Sequence, residues 1–146
     1  MQGKASIILS GTVASGTGSG RHYMRQRRYR IQFIDKLGIA PYSGTLNIRL
    51  SGADLKKFAL LKKRRGILVK GFRKQGRSFG NVMCYRAELS GIRCAVIVPE
   101  LSRRVDVAEI ISKERLRTSL SLHDGSNVRV RVPARMPVRR RFVEKA

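Results

Sequence analysis

Residues 79 to 98 read FGNVMCYRAELSGIRCAVIV, and their pattern is the clearest indication of the fold. Two segments rich in β-branched and aromatic residues flank Ser90-Gly91, a pair typical of the two-residue turn of a β-hairpin. In that register Cys94 lies opposite Ala87. Cys84 is then about three residues, or roughly 10 Å, from the position opposite Cys94, which is too far for a disulfide. The sequence therefore predicts two antiparallel strands and two free thiols, as in a reducing compartment.

Further short segments of the same character occur on both sides of this hairpin. Their predicted strands cover 6–13, 45–50, 66–72, 107–111 and 127–132. Polar and apolar residues alternate along 45–50, which places Leu46, Ile48 and Leu50 on the core side. About seven strands without regular alternation with helices favour a mostly β, mostly antiparallel barrel over a doubly wound α/β sheet.

Two or three short helices accompany the predicted strands. One covers about 28–37, where Phe33, Ile34 and Leu37 recur at helical spacing, and Gly38 ends it. A second begins near Ser51 and Asp54, with an apolar face made by Leu55, Phe58 and Ala59. A brief third helix is predicted within 112–120.

The chain of 146 residues is strongly basic, with 32 Lys and Arg against 9 Asp and Glu and a net charge of +23. This charge is consistent with a solvated surface, with contact to a polyanion, or with capture of a phosphorylated substrate. No run of about 18 apolar residues occurs, so we expect a soluble, cytoplasmic protein without a membrane segment. We predict one domain over 1–132 and a basic C-terminal tail over 133–146.

A glycine-rich loop follows the first strand. It consists of Gly16, Thr17, Gly18, Ser19, Gly20 and the adjoining Arg21. Glycines let backbone N–H groups converge on phosphate oxygens, and the arginine adds a charged donor. The spacing matches neither a Walker A loop nor a dinucleotide fingerprint, so an ordinary flexible loop is the alternative.

Thr45 and Asn47 form a second candidate site. They lie two residues apart on one strand, so their side chains share the face opposite Leu46 and Ile48. Two neutral oxygen ligands suit Mg²⁺ when nucleotide phosphates and water complete its coordination. From spacing alone, two polar residues on a solvated strand face are the favoured interpretation.

Six motifs resemble, in order and spacing, those of the archaeal CTP-dependent riboflavin kinases. They are GTVASGTGSGRHYM at 11–24, PYSGTLNIRL at 41–50, CAVIVPE at 94–100, EII at 109–111, RLR at 115–117 and LHDGSNV at 122–128. The PYxGTLN element is the most specific of them. The resemblance extends from about Ser6 to Val132.

This resemblance implies a cradle-loop β-barrel that transfers the terminal phosphoryl group of CTP to the 5′-hydroxyl of riboflavin, giving FMN and CDP. It implies that Gly16 to Arg21 bind the nucleotide and that Thr45 and Asn47 bind Mg²⁺. Further nucleotide contacts would come from Glu114, Arg115, Leu116 and Arg117. The flavin would contact Ser102 and Glu109, and Glu109 is also a candidate catalytic base.

The chain differs from the family pattern on the flavin side, at Ser102-Arg103-Arg104 and at Ser112-Lys113. Two other functional hypotheses remain at this point. One is a nucleic-acid-binding module on the same barrel, in keeping with the charge and exposed aromatic residues. The other is a barrel that binds a flavin or nucleotide without turnover. Under the kinase hypothesis we expect a monomer for which nucleic acid is a secondary partner.

Overall fold

The computed structural model describes residues 5–16, 24–102 and 104–134. Its strands are β1 (Ile7–Ala14), β2 (Leu46–Arg49), β3 (Ile67–Val69), β4 (Phe72–Lys74), β5 (Arg77–Phe79), β6 (Val82–Leu89), β7 (Ile92–Pro99), β8 (Val107–Ile111) and β9 (Asn127–Val132). Its helices are α1 (Arg27–Gln32), continued by a π-helical turn (Phe33–Leu37), then α2 (Ala53–Lys62) and α3 (Leu116–Ser119). The glycine-loop residues Thr17 to Arg21 and the tail beyond residue 134 lie outside the described residues.

Six antiparallel strands close into a barrel in the order β6-β7-β8-β2-β1-β9. Closure comes from pairing of β6 with β9, where Glu88 is opposite Arg131 and Leu89 is opposite Val130. β3 adds a seventh strand outside the ring by pairing with β6. The prediction of a mostly β antiparallel barrel with short helices is therefore confirmed.

The hairpin predicted at Ser90-Gly91 joins β6 to β7. Ala87 pairs with Cys94, and Cys84 pairs with Ile97, as the predicted register requires. Both cysteines are free and buried. Burial raises the pKa of each thiol to about 12. The prediction of two free thiols is confirmed.

Apolar side chains form two cores, one on each face of the β6–β7 hairpin. Tyr85 and Val96 point into the barrel, whereas Cys84 and Ile97 point outward beneath α1. Because both faces are covered, residues 94–97 are all buried. β9 has one covered face, and its residues alternate strictly between exposed and buried.

The first predicted helix is present, and Gly38 ends it in the left-handed conformation at φ 72°. Its second half is π-helical rather than α-helical. Tyr29, Phe33 and Leu37 are fully buried, while Ile34 is 49% exposed. The helix therefore buries a narrow i, i+4 stripe against the barrel.

The predicted apolar face of α2 is partly wrong. Phe58 and Leu61 are buried, but Leu55 and Ala59 are exposed. Asp54 accepts a 2.9 Å hydrogen bond from the backbone N of Ser10. This bond connects the first turn of the helix to β1. The buried apolar contact is made further along the helix by Phe58 and Leu61, an i, i+3 pair.

The structure also contains a small hairpin that was not predicted from the sequence. β4 and β5 pair in a two-stranded sheet separate from the barrel, with Phe72 opposite Phe79. The predicted strand 66–72 is therefore divided between β3 and β4, and the predicted strand 79–89 is divided between β5 and β6. Between these strands, Asn81 Oδ1 accepts a 2.7 Å hydrogen bond from the backbone N of Gly71.

No helix in the described part of the chain is long and apolar enough to cross a membrane.

Candidate functional site

One open pocket of about 290 Å³ lies beside α3, where β1 and β8 end and β2 begins. It is lined by Gly16, Tyr42, Ser43, Gly44, Thr45, Leu46, Asn47, Ile110, Ser112, Glu114, Arg115, Leu116 and Arg117. Strand pairing explains the convergence, because Ala14 pairs with Asn47 and Leu46 pairs with Ile110. Segments distant in sequence are thereby brought to one end of the barrel.

Thr45 and Asn47 share one face of the chain, as predicted from their spacing. The Thr45 hydroxyl lies 3.3 Å from Asn47 Oδ1 and 3.4 Å from Glu109 Oε1. Glu109 is opposite Asn47 in the β2–β8 ladder. Three oxygen-bearing side chains therefore meet beside the pocket.

Glu109 is partly buried, and burial raises the pKa of its carboxyl above the ordinary value. The hydrogen bond from Thr45 and the charge of Arg104 act in the opposite direction. The result is a carboxyl group with increased proton affinity next to a hydroxyl. Such a group is suited to accept a proton from a nearby donor.

Gly16 lies against the side chain of Asn47. A β-carbon built on Gly16 would overlap Asn47 Nδ2, so a larger residue here would displace the amide. The close approach brings the start of the glycine-rich loop to the Thr45–Asn47 pair. The remaining loop residues, Thr17, Gly18, Ser19, Gly20 and Arg21, lie outside the described residues.

The predicted segment Glu114 to Arg117 forms another wall of the pocket. Glu114 Oε1 accepts a 2.6 Å hydrogen bond from the Ser119 hydroxyl, and Arg115 donates to Thr118 Oγ1 at 2.8 Å. Arg117 forms a 2.7 Å ion pair with Asp124. These contacts anchor two guanidinium groups at the pocket wall.

Ser102 is placed apart from the other predicted site residues. It is exposed in the segment after β7 and is absent from the pocket lining. Its Oγ accepts a 3.3 Å hydrogen bond from the backbone N of Arg104, whose charge affects the pKa of Glu109. This segment is therefore connected with the Glu109 side of the site.

Tyr42 and Asp124 were not singled out from the sequence, and Ser112 was noted there only as a departure from the family pattern. Tyr42 and Ser112 line the pocket, and the Tyr42 backbone N donates a 2.7 Å hydrogen bond to Ser112 O. Asp124 accepts hydrogen bonds from Ser15 at 2.5 Å and Arg117 at 2.7 Å. These two bonds lower the pKa of the Asp124 carboxyl. The PYSGTLN and LHDGSNV motifs contain Tyr42 and Asp124, and that was the available signal.

The candidate metal ligands of the pocket, Thr45 and Asn47, offer neutral oxygen atoms. In the described ranges, no group of three or more His, Cys, Asp or Glu residues is arranged to hold a metal ion. A cation here would depend on Thr45, Asn47 and ligands supplied by a bound phosphate. This donor chemistry fits Mg²⁺, which keeps several waters and commonly shares its coordination with a substrate.

A family model named CTP-dep_RFKase, described as a domain of unknown function (DUF120), matches residues 13–132. The chain belongs to this CTP-dependent riboflavin kinase family. Curated proteins named riboflavin kinase are similar to this chain over most of the chain's length. The protein of Thermoplasma acidophilum is 45% identical over 129 residues, covering 88% of this chain and 59% of that protein.

Two further relatives carry the name riboflavin kinase. The protein of Archaeoglobus fulgidus is 38% identical over 130 residues, covering 88% of this chain and 56% of the relative. The protein of Ignicoccus hospitalis is 39% identical over 127 residues, covering 86% of this chain and 71% of the relative. The chain spans about three-fifths of the length of the Thermoplasma and Archaeoglobus relatives. The family match includes every pocket-lining residue.

Proposed function

We propose that this chain is a CTP-dependent riboflavin kinase that converts riboflavin and CTP to FMN and CDP. The observation that carries the proposal is the convergence of Gly16, the Thr45–Asn47 pair and residues 114–117 on one pocket beside Glu109. Family membership supports the same chemistry, and the family name supports CTP as the donor. We propose, as expected from the sequence, that the active form is a monomer.

We propose that the nucleotide phosphates occupy the part of the pocket next to Gly16. The glycine loop from Thr17 to Arg21 would continue this cradle with its backbone N–H groups. Arg115 and Arg117 line the same pocket and would balance phosphate charge. Phosphoryl transfer depends mainly on such positioning and charge neutralisation.

The Thr45 hydroxyl and the Asn47 amide oxygen would hold Mg²⁺ together with phosphate oxygens. The missing side chain of Gly16 leaves room for the Asn47 amide. A bound Mg²⁺ would supply neutralisation of the charge on the terminal phosphates. Thr45 also contacts Glu109, so the same hydroxyl couples the metal-binding pair to the acceptor side.

Riboflavin would bind on the Glu109 and Ser102 side, with its 5′-hydroxyl near Glu109. The riboflavin oxygen forms a bond to the γ-phosphorus, and the bond from that phosphorus to the β,γ-bridging oxygen breaks. CDP leaves with the electron pair, and the hydroxyl proton passes to the Glu109 carboxylate. The raised pKa of Glu109 favours proton acceptance in this role.

The test is FMN formation from riboflavin and Mg²⁺ in parallel reactions with CTP, ATP, UTP or GTP. We expect FMN preferentially with CTP, and a matched reaction with EDTA should produce none. Folded protein that yields no FMN with any nucleotide would contradict the proposal. Flavin or CTP binding by such inactive protein, measured by calorimetry, would instead support a binding module without turnover.

A further inference from the structure

The β4–β5 hairpin is a short basic ribbon apart from the barrel sheet. Residues 73–78 are all exposed. Gln75 and Gly76 form its turn with φ 53° and 74°, the left-handed pair of a tight hairpin that follows strand twist. The hairpin therefore presents Arg73, Lys74 and Arg77 to solvent on a defined backbone.

The charge on this ribbon lacks local compensation. The sequence has no Asp or Glu between Leu55 and Ala87, although Lys and Arg occur throughout that stretch. The ion pairs in the described ranges involve Arg104, Arg117 and Arg131, and so none reaches the hairpin. Glu100 lies near its base, where it accepts a 2.6 Å hydrogen bond from the backbone N of Asn81.

Two of these cations are arranged against each other. Lys74 is directly opposite Arg77 in the β4–β5 ladder. Like charges at directly opposed positions destabilise a strand pair. An anion bound between or across these side chains would remove that repulsion, so the arrangement favours a negatively charged ligand.

An aromatic base supports the ribbon. The Phe72 and Phe79 rings stack with centroids 4.7 Å apart, and Tyr29 packs edge-on against Phe72 at 5.0 Å. The guanidinium groups of Arg28 and Arg77 lie over the Phe72 and Phe79 rings at 5.6 and 5.4 Å. These contacts add one positive group, Arg28, at the base of the hairpin and hold the guanidinium of Arg77 there as well.

We propose that this basic hairpin, with Arg28, binds the sugar-phosphate backbone of nucleic acid. Successive phosphates offer the repeated negative charge that a row of Arg and Lys side chains can contact. An anionic membrane fits less well, because residues 73–78 include no apolar side chain for insertion. The hairpin residues are absent from the lining of the nucleotide pocket, so this activity is separate from the proposed kinase.

The experiment measures fluorescence anisotropy of labelled single-stranded RNA, single-stranded DNA and duplex DNA with the full chain across a series of KCl concentrations. The test variant is Lys74→Gln with Arg77→Gln. Its control is Lys56→Gln with Lys57→Gln, which removes the same charge from exposed positions of α2. A charge-preserving variant, Lys74→Arg with Arg77→Lys, should retain binding because phosphate contacts are not base-specific.

In the test variant, the slope of log K against log[KCl] should become shallower by roughly 1.4 for single strands or roughly 1.8 for duplex. This corresponds to two lost phosphate contacts, at about 0.7 or 0.9 for each contact. The α2 control should match the wild type, and FMN formation by the test variant should be unchanged. Equal losses in the test and control variants would overturn the proposal by showing diffuse attraction. Binding to anionic phosphatidylserine vesicles without binding to any nucleic acid would also overturn it.

Discussion

The Thr45 hydroxyl lies 3.4 Å from Glu109 Oε1 and 3.3 Å from Asn47 Oδ1. One side chain thus connects the proposed metal-binding pair on one strand with the proposed acceptor-side carboxyl on the next. This relationship makes the proposed chemistry testable by single substitutions, since each of the three side chains has a different assigned role.

Asn47→Ala should reduce FMN formation at least about 100-fold, because a lost metal ligand removes several kcal/mol of charge stabilisation. The fold should persist, since Asn47 is on the face opposite the buried Leu46 and Ile48. Steady-state kinetics and circular dichroism measure the two effects. Asn127→Ala, the same change at an exposed strand residue, is the control; unchanged turnover in Asn47→Ala would refute the assignment.

Gly16→Ala should lower turnover mainly by displacing the Asn47 amide, which a new β-carbon would overlap. The unfolding temperature should change little because Asn47 Nδ2 is the movable end of its side chain. In an Asn47→Ala background, Gly16→Ala should cause little further loss of turnover. Fully multiplicative losses in this double-mutant cycle would show that the two positions act independently.

Asp124 should contribute to stability in a pH-dependent way. Its hydrogen bonds with Ser15 and Arg117 lower the pKa of its carboxyl in the folded chain below the unfolded value. This contribution is therefore complete above the unfolded pKa and is lost as pH falls through the folded pKa. Thermal unfolding should show Asp124→Asn less stable than wild type at pH 7, with the difference disappearing in acid. A difference that stays constant with pH would contradict this role.

The two thiols should be unreactive in the folded protein. Burial raises the pKa of both Cys84 and Cys94 to about 12, so the thiolate is scarce at pH 8. An Ellman assay should detect almost no thiol in native protein and two per chain after unfolding in guanidinium without reductant. Fast labelling of native protein would show that the β6–β7 hairpin opens readily.

The basic tail should be dispensable for catalysis. A chain ending at Val132 retains all of β9 and every pocket-lining residue, so we expect FMN formation to be unchanged. The measurement is kcat and KM for both substrates beside the full chain. Loss of activity from a truncated protein that still melts cooperatively would show that the tail contributes to the site.

Sequence alone determined those features that depend on neighbouring residues. Ser90-Gly91 specified the hairpin and its register, Gly38 specified a helix end, and alternation along 45–50 identified Leu46, Ile48 and Leu50 as core residues. Spacing also placed Thr45 and Asn47 on one face. In each case the cause is local, because turn conformation and strand periodicity act within a few residues.

Contacts between residues distant in sequence became visible in the folded structure. Pairing of Glu88 with Arg131 closes the barrel, and pairing of Asn47 with Glu109 assembles the site. Asp124 joins Ser15 to Arg117 across more than a hundred residues of sequence. Packing likewise selected Leu61 over Leu55 for burial in α2. The physical reason is that these contacts depend on where whole strands and helices pack, and local sequence patterns do not contain that information.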